Sequence, residues 1–161
     1  MINVLLAGVG GQGTVLAAKV LASAAQARGW QVRTAETIGM AQRGGNVTSH
    51  VRMGSEGEEV FSSLITPGTA DMVIALEPGE AARALPYLAP GAVLVCSTTA
   101  IQPVTAALAS QPYRADDVVA ALANSLQAEA PREQTAAAAD AAEEAAMSLD
   151  AADGAIAIKD T

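Results

Sequence analysis

Cysteine is almost missing from this 161-residue chain: Cys96 stands alone. No internal disulfide can form, and no iron–sulfur cluster can be held by the chain itself, since such a cluster draws on about four thiolates. Aromatic residues are nearly as scarce, with one Trp, two Tyr and one Phe. The hydrophobic half of the chain is therefore mostly Ala, Val, Leu and Ile, a composition suited to helices lying close on a sheet. Long apolar runs are lacking as well. None approaches the roughly 18 residues of a membrane span, and no basic start leads into an apolar signal core, so the expectation is a soluble, cytoplasmic protein with no membrane partner. Positive charge is in deficit: the net charge of −8 argues against nucleic acid, whose phosphates call for a basic face.

The charge is unevenly spread. Residues 1 to 53 hold Lys19, Arg28, Arg33, Arg43 and Arg52 against a single acid, Glu36, while the other sixteen acids and four bases follow from Gly54 onward. A cationic N-terminal third suits a phosphorylated ligand or an acidic partner surface, and is equally compatible with ordinary scattered surface charge.

The length fits a single domain. Ile2 to Ala7 is an apolar run interrupted only by Asn3 and ending in glycine, the pattern of a strand buried on both faces of a sheet. Thr14 to Arg28 follows with strong helix formers, Leu16, Val20 and Ala24 on the face expected to pack, and Gly29 as the stop. Gln31 to Ala35 reads as a second strand. Val47, Ser49, Val51 and Met53 alternate with Thr48, His50 and Arg52, and after Gly54 to Gly57 a further extended stretch runs from Glu59 to Ile65, which predicts a hairpin of these two segments. Met72 to Leu76 is another buried strand, Pro78 and Gly79 open a short helix through Leu85, and Ala92 to Cys96 is the next strand.

Asp116 and Asp117 begin a helix with Val118, Val119, Leu122 and Leu126 at helical spacing. Beyond Pro131 the chain is mostly Ala with Asp and Glu up to Met147 and Leu149. Ile156 to Ile158 suits either an edge strand or a frayed tail. The expected fold is α/β: a Rossmann-like, doubly wound, mostly parallel sheet with a β-hairpin insertion and an Ala-rich helical C-terminal region.

Chemistry is concentrated in two glycine-rich segments. Gly8-Val9-Gly10-Gly11-Gln12-Gly13 fits G-x-G-x-x-G with a strand before it and a helix after it. Such glycines let backbone amides and the helix dipole approach an anion, so Gly8, Gly10, Gly11, Gln12 and Gly13 are candidate binding residues. Glu36, at the end of the second strand, stands where a dinucleotide fold places its ribose-binding acid, which keeps a stand-alone NAD or nucleotide-binding module open as an alternative. The glycines serving helix-on-strand packing alone is a third possibility.

The second segment, Glu36 to Val47, is a long irregular loop between strands. Its Gln42, Arg43, Gly44 and Gly45 are candidates for the crevice at the carboxyl edge of the sheet, with Arg43 the leading anion contact. His50, the only histidine, has no companion for a metal site and is assigned a structural or interface role. Glu77 suits helix capping, and Ser97, Thr98 and Thr99 suit a turn, although all four fall at the same edge. There is no nucleophile elbow, no P-loop lysine, no zinc spacing and no Gly-Asp-Gly segment of the thiamine-anchoring kind. No catalytic residue and no metal ligand is assigned.

Ala7 to Thr14 and Glu36 to Gly45, followed by Ser49-His50-Val51-Arg52, resemble the gamma-type subunit of the 2-oxoacid:ferredoxin oxidoreductases. Ala70-Asp71, Leu76-Glu77-Pro78, Leu85 to Leu88 and Pro90-Gly91 also match, and Met40 to Gly45 points to the indolepyruvate branch. The resemblance implies a single pyruvate/ketoisovalerate oxidoreductase gamma-type domain over residues 1–161. It implies a subunit, inactive alone, of an enzyme that oxidatively decarboxylates an aryl 2-oxoacid to acyl-coenzyme A and passes electrons to ferredoxin. It further implies that no cofactor is bound tightly by this chain, that thiamine diphosphate and iron–sulfur clusters belong to a large partner subunit, and that coenzyme A is a co-substrate. Gly8 to Gly13 and Gln42 to Gly45 would face that active site or coenzyme A. The resemblance covers Met1 to about Tyr113. Residues 113–161 depart from the family's usual strand, Asn-containing stretch and apolar helix, and stand as divergent or truncated.

Overall fold

The structure is a computed structural model, and it describes residues 1–39, 45–55, 57–101, 113–129 and 155–159. Strand β1 (Ile2–Val9) is buried from Val4 onward, as a central strand covered on both faces must be. It leads through the glycine loop into helix α1 (Thr14–Ala27), then β2 (Gln31–Ile38) and β3 (Asn46–Gly54). After β4 (Ala70–Ala75) come helix α2 (Pro78–Ala84), a short 3₁₀ turn at Leu85–Tyr87, and β5 (Leu88–Ser97). Helix α3 (Ala115–Glu129) and strand β6 (Ala155–Lys159) complete the described elements.

The six strands form one sheet in the order β2-β3-β1-β4-β5-β6. β1, β4 and β5 run parallel, while β3 is antiparallel to both β1 and β2, and β6 is antiparallel to β5. β2 thus points the same way as β1, β4 and β5, with β3 interposed between it and β1. Ile156 to Ile158 lie in an edge strand, not a frayed tail.

The expected hairpin of residues 47–53 with 59–65 does not form; β3 pairs with β2 instead. Residues 59–65 lie across the sheet without joining a ladder, because side chains satisfy their backbone. Gln31 Oε1 accepts from Val60 N at 3.1 Å, Arg33 Nε donates to Val60 O at 3.2 Å, and Arg52 Nη1 donates to Ser62 O at 3.1 Å.

Helix α1 covers one face of the sheet, packing Ala18, Ala22 and Ala25 on Val4, Leu6, Val51 and Met53. Leu16 and Val20, expected to face the core, are 67% and 62% exposed. Both stripes have helical spacing, but the alanine stripe lets the helix axis approach the strands more closely, and close packing selects it. On the opposite face, α2 and α3 enclose Leu5, Val73, Leu94 and Cys96 with Ala81, Ala84, Leu122 and Leu126. No helix among the described residues is long and apolar enough to cross a membrane. The Ala-rich tract at 130–154 lies outside the described residues.

Candidate functional site

The winding direction reverses between β1 and β4: the chain leaves β1 into α1 on one face and leaves β4 into α2 on the other. Sheets of this kind open a crevice at the carboxyl ends of the strands where that happens. One lip is the glycine loop. The other is Leu76-Glu77-Pro78.

Gln12 closes the crevice from within. Its Oε1 accepts from Val9 N at 2.7 Å and its Nε2 donates to the Leu76 carbonyl at 2.7 Å, while Leu76 N donates to Ala7 O at 2.8 Å. Both ends of the Gln12 amide are occupied internally, so this side chain positions the loop. The backbone of Gly11 and Gly13 takes φ of +99° and +87°, a left-handed conformation that a side chain disfavours. Gly8 is needed for space: a Cβ there would sit 2.6 Å from Thr14 Oγ1, 3.0 Å from Gln12 Oε1 and 3.3 Å from Leu76 Cβ.

Gly13 caps α1 without a side-chain hydrogen bond. Gly10 N donates to Gly45 O at 2.8 Å and Gln12 N to Val9 O at 3.1 Å, whereas the amides of Gly11, Gly13, Thr14, Val15 and Leu16 meet no acceptor among the described residues. Thr14 is 3% exposed, and its hydroxyl has no partner there either. Unclaimed donors at the start of a fourteen-residue helix form a field suited to an anion. A cleft of about 400 Å³ adjoins them, lined by Val9, Gly11, Gly13, Thr14, Leu16, Lys19 and Val47. Thr14 was missed in the sequence because a Thr at a helix start looks like an ordinary terminus; its burial is a tertiary fact.

The Gly10–Gly45 contact brings the two glycine segments together at this edge. Gln42, Arg43 and Gly44 lie outside the described residues. Glu36 does not join them: it is exposed on edge strand β2, and the interposed β3 sets it two interstrand steps, about 9.6 Å, from β1. The dinucleotide arrangement, with its acid on the strand next to the glycine loop, is therefore not built here.

Glu77 is 3% exposed and caps α2, its Oε2 accepting from Glu80 N at 3.0 Å. Its Oε1 accepts from the Tyr113 hydroxyl at 2.6 Å. Burial, together with the bond to Glu77, holds the Tyr113 phenol above its usual range. Burial first, and Glu77 second, push the Cys96 thiol up to about 11, so it is protonated at neutral pH and is a poor ligand or nucleophile. Ser97 Oγ accepts from Thr99 N at 3.2 Å, a turn-forming contact. No cluster of His, Cys, Asp and Glu among the described residues is arranged to hold a metal ion.

Residues 3–156 match the model of the family described as pyruvate ferredoxin/flavodoxin oxidoreductase. The chain belongs to that family. The match passes well beyond Tyr113, where the sequence-level resemblance ends. A curated relative, indolepyruvate oxidoreductase subunit IorB of Archaeoglobus fulgidus, is 43% identical over 75% of this chain and 59% of its own length. The Thermococcus kodakarensis subunit of the same name is 38% identical over 69% of this chain and 54% of its own. The chain thus spans little more than half the length of these relatives. A solved 2-oxoglutarate:ferredoxin oxidoreductase from Magnetococcus marinus, with 2-oxoglutarate, coenzyme A and succinyl-CoA bound, shares the fold. That match has a TM-score of 0.52 at 24% identity and covers 60% of this chain and 16% of that one.

Proposed function

We propose that this chain is the small subunit of an indolepyruvate-type 2-oxoacid:ferredoxin oxidoreductase in the cytoplasm, and that it has no activity alone. The overall reaction joins an aryl 2-oxoacid and coenzyme A, releases carbon dioxide and a proton, forms the acyl thioester, and sends an electron pair to ferredoxin. Thiamine diphosphate would supply the carbanion chemistry and iron–sulfur clusters the electron path, both on a large partner subunit. The observation that carries this reading is the 43% identity to an indolepyruvate oxidoreductase subunit over 75% of the chain. Its single, buried, protonated thiol does not suit a cluster, which agrees with placing the metal elsewhere.

In this reading the chain contributes position and electrostatics. The unclaimed amides of Gly11, Gly13, Thr14, Val15 and Leu16 would hold an anionic group of coenzyme A or of the partner, with Lys19 close by. Gly8 and Gln12 would set the loop's shape, and Gly10 and Gly45 would join it to the segment carrying Gln42, Arg43 and Gly44. Exposed Leu16 and Val20, on the outer side of the same helix, offer an apolar contact for the partner.

The test is to purify the tagged chain from its native extract and identify what accompanies it. A cysteine-rich, thiamine-binding partner with coenzyme A-dependent, 2-oxoacid-dependent dye reduction is the expected result. A chain recovered alone from an extract that retains the activity would refute the proposal.

A further inference from the structure

Helices α2 and α3 do not cover the whole of their face of the sheet. Over β3 and β2 they leave a cleft of about 210 Å³, lined by Leu5 and Ala7 of β1, Thr37 of β2, Asn46, Thr48 and His50 of β3, and Glu80, Arg83, Ala84 and Tyr87 beyond. Strand alternation explains why these residues meet: Asn46, Thr48 and His50 point to one side of β3, and the register sets Leu5 opposite His50, and both Ala7 and Thr37 opposite Thr48.

His50 lies at the floor and is 4% exposed. Its Nδ1 accepts from Ile65 N at 3.2 Å, and the edge of its ring packs against Tyr87 with centroids 5.8 Å apart. An imidazole that accepts through Nδ1 carries its proton on Nε2 when neutral. That N–H has no acceptor among the described residues, and His50 is one of the residues that line the cleft. Burial holds the ring's pKa below its usual value, which favours this neutral, donating form.

The remaining groups sort by chemistry. Thr48 and Thr37 bring hydroxyls, and Arg83 brings a guanidinium that is mostly exposed at the lip. Glu80 Oε1 lies 3.4 Å from Arg83 Nε, which anchors that side chain while leaving its other N–H groups available. Burial raises the Glu80 pKa, with Arg83 opposing and Glu77 adding to the shift. Leu5, Ala7 and Ala84 form an apolar wall. The volume is below the range of about 300 Å³ and upward typical of larger ligands.

We infer that the cleft over β3 binds a small monocarboxylate with a short apolar tail, its carboxylate accepting from His50 Nε2, Arg83 and the Thr48 hydroxyl and its tail resting on Leu5, Ala7 and Ala84. This site lies on the opposite face of the sheet from α1 and is independent of the subunit assignment.

His50 is the only histidine, so its imidazole resonances in the labelled full-length chain report the cleft alone. The test titrates propionate, inorganic phosphate and, at matched ionic strength, chloride. The expected result is saturable movement of the His50 signals by propionate, with affinity on the order of millimolar as befits so few atoms. Arg83→Gln and the near-isosteric Thr48→Val should each weaken it, the former about tenfold as a charge-assisted hydrogen bond is lost. Movement caused equally by chloride, saturation by phosphate without propionate, or unchanged propionate affinity in both variants would overturn the proposal.

Discussion

The two faces of this sheet are built on opposite terms. Under α1 the contact is made by small residues, Ala18, Ala22 and Ala25, and the helix lies close enough for its first residue, Thr14, to bring a hydroxyl against Gly8. Under α2 and α3 the contact is made by larger groups, Leu5, Val73, Leu94, Leu122 and Leu126, and the buried titratable side chains His50, Glu77 and Cys96 gather there. The first face holds the glycine loop tightly against the sheet. The second accommodates the titratable groups and leaves part of β3 open.

That contrast predicts different ways of failing. The large-residue face should suffer most from removing atoms. Leu94, with no exposed surface, should cost about 2–5 kcal/mol when changed to Ala. A shift in urea midpoint corresponding to less than 1 kcal/mol would mean that the face is loosely packed. The small-residue face should suffer from adding them: Gly8→Ala should cost about 1–3 kcal/mol by overpacking against Thr14, Gln12 and Leu76. Stability retained with the loop unmoved would contradict the close approach.

The polar groups on the second face give a smaller, pH-dependent signature. Burial lowers the His50 pKa from its usual 6.5, so the unfolded chain takes up a proton that the folded chain resists. This contribution is present above the usual value and is lost as the pH falls below it. A single-histidine NMR titration should give a midpoint under 6.5, and a midpoint at or above it would contradict the burial. Smallest of all, Leu16→Ser should change the stability of the isolated chain by less than about 0.5 kcal/mol, because that residue faces solvent. A larger loss in thermal or urea unfolding would restore it to the core.

The sequence made the central strands and the glycine loop legible because their signals are local: an apolar run, then glycines, then helix formers. The buried side of α1 was not legible, since Leu16 and Val20 share the periodicity of Ala18 and Ala22, and the choice between them depends on how close the sheet comes. Residues 59–65 carry a strand-like pattern, but Gln31, Arg33, Arg52 and His50 reach across the sheet to occupy their backbone groups, which spacing alone does not reveal. Gln12 stood out as a binding candidate because it sits inside the glycine motif; only the fold shows both ends of its amide turned inward. Glu36 does not take the ribose-binding position that the alternative dinucleotide reading would give it, because β3 is inserted between its strand and β1, a long-range pairing.

We propose that this chain supplies positioning groups to an enzyme whose chemical machinery lies on another subunit. The most direct test is add-back: the partner stripped of this chain is assayed for coenzyme A-dependent oxidation of an aryl 2-oxoacid before and after the purified chain is restored. Activity should be absent without the chain, return with it, and return poorly with the Gly8→Ala form. Full activity of the partner alone would contradict the proposal.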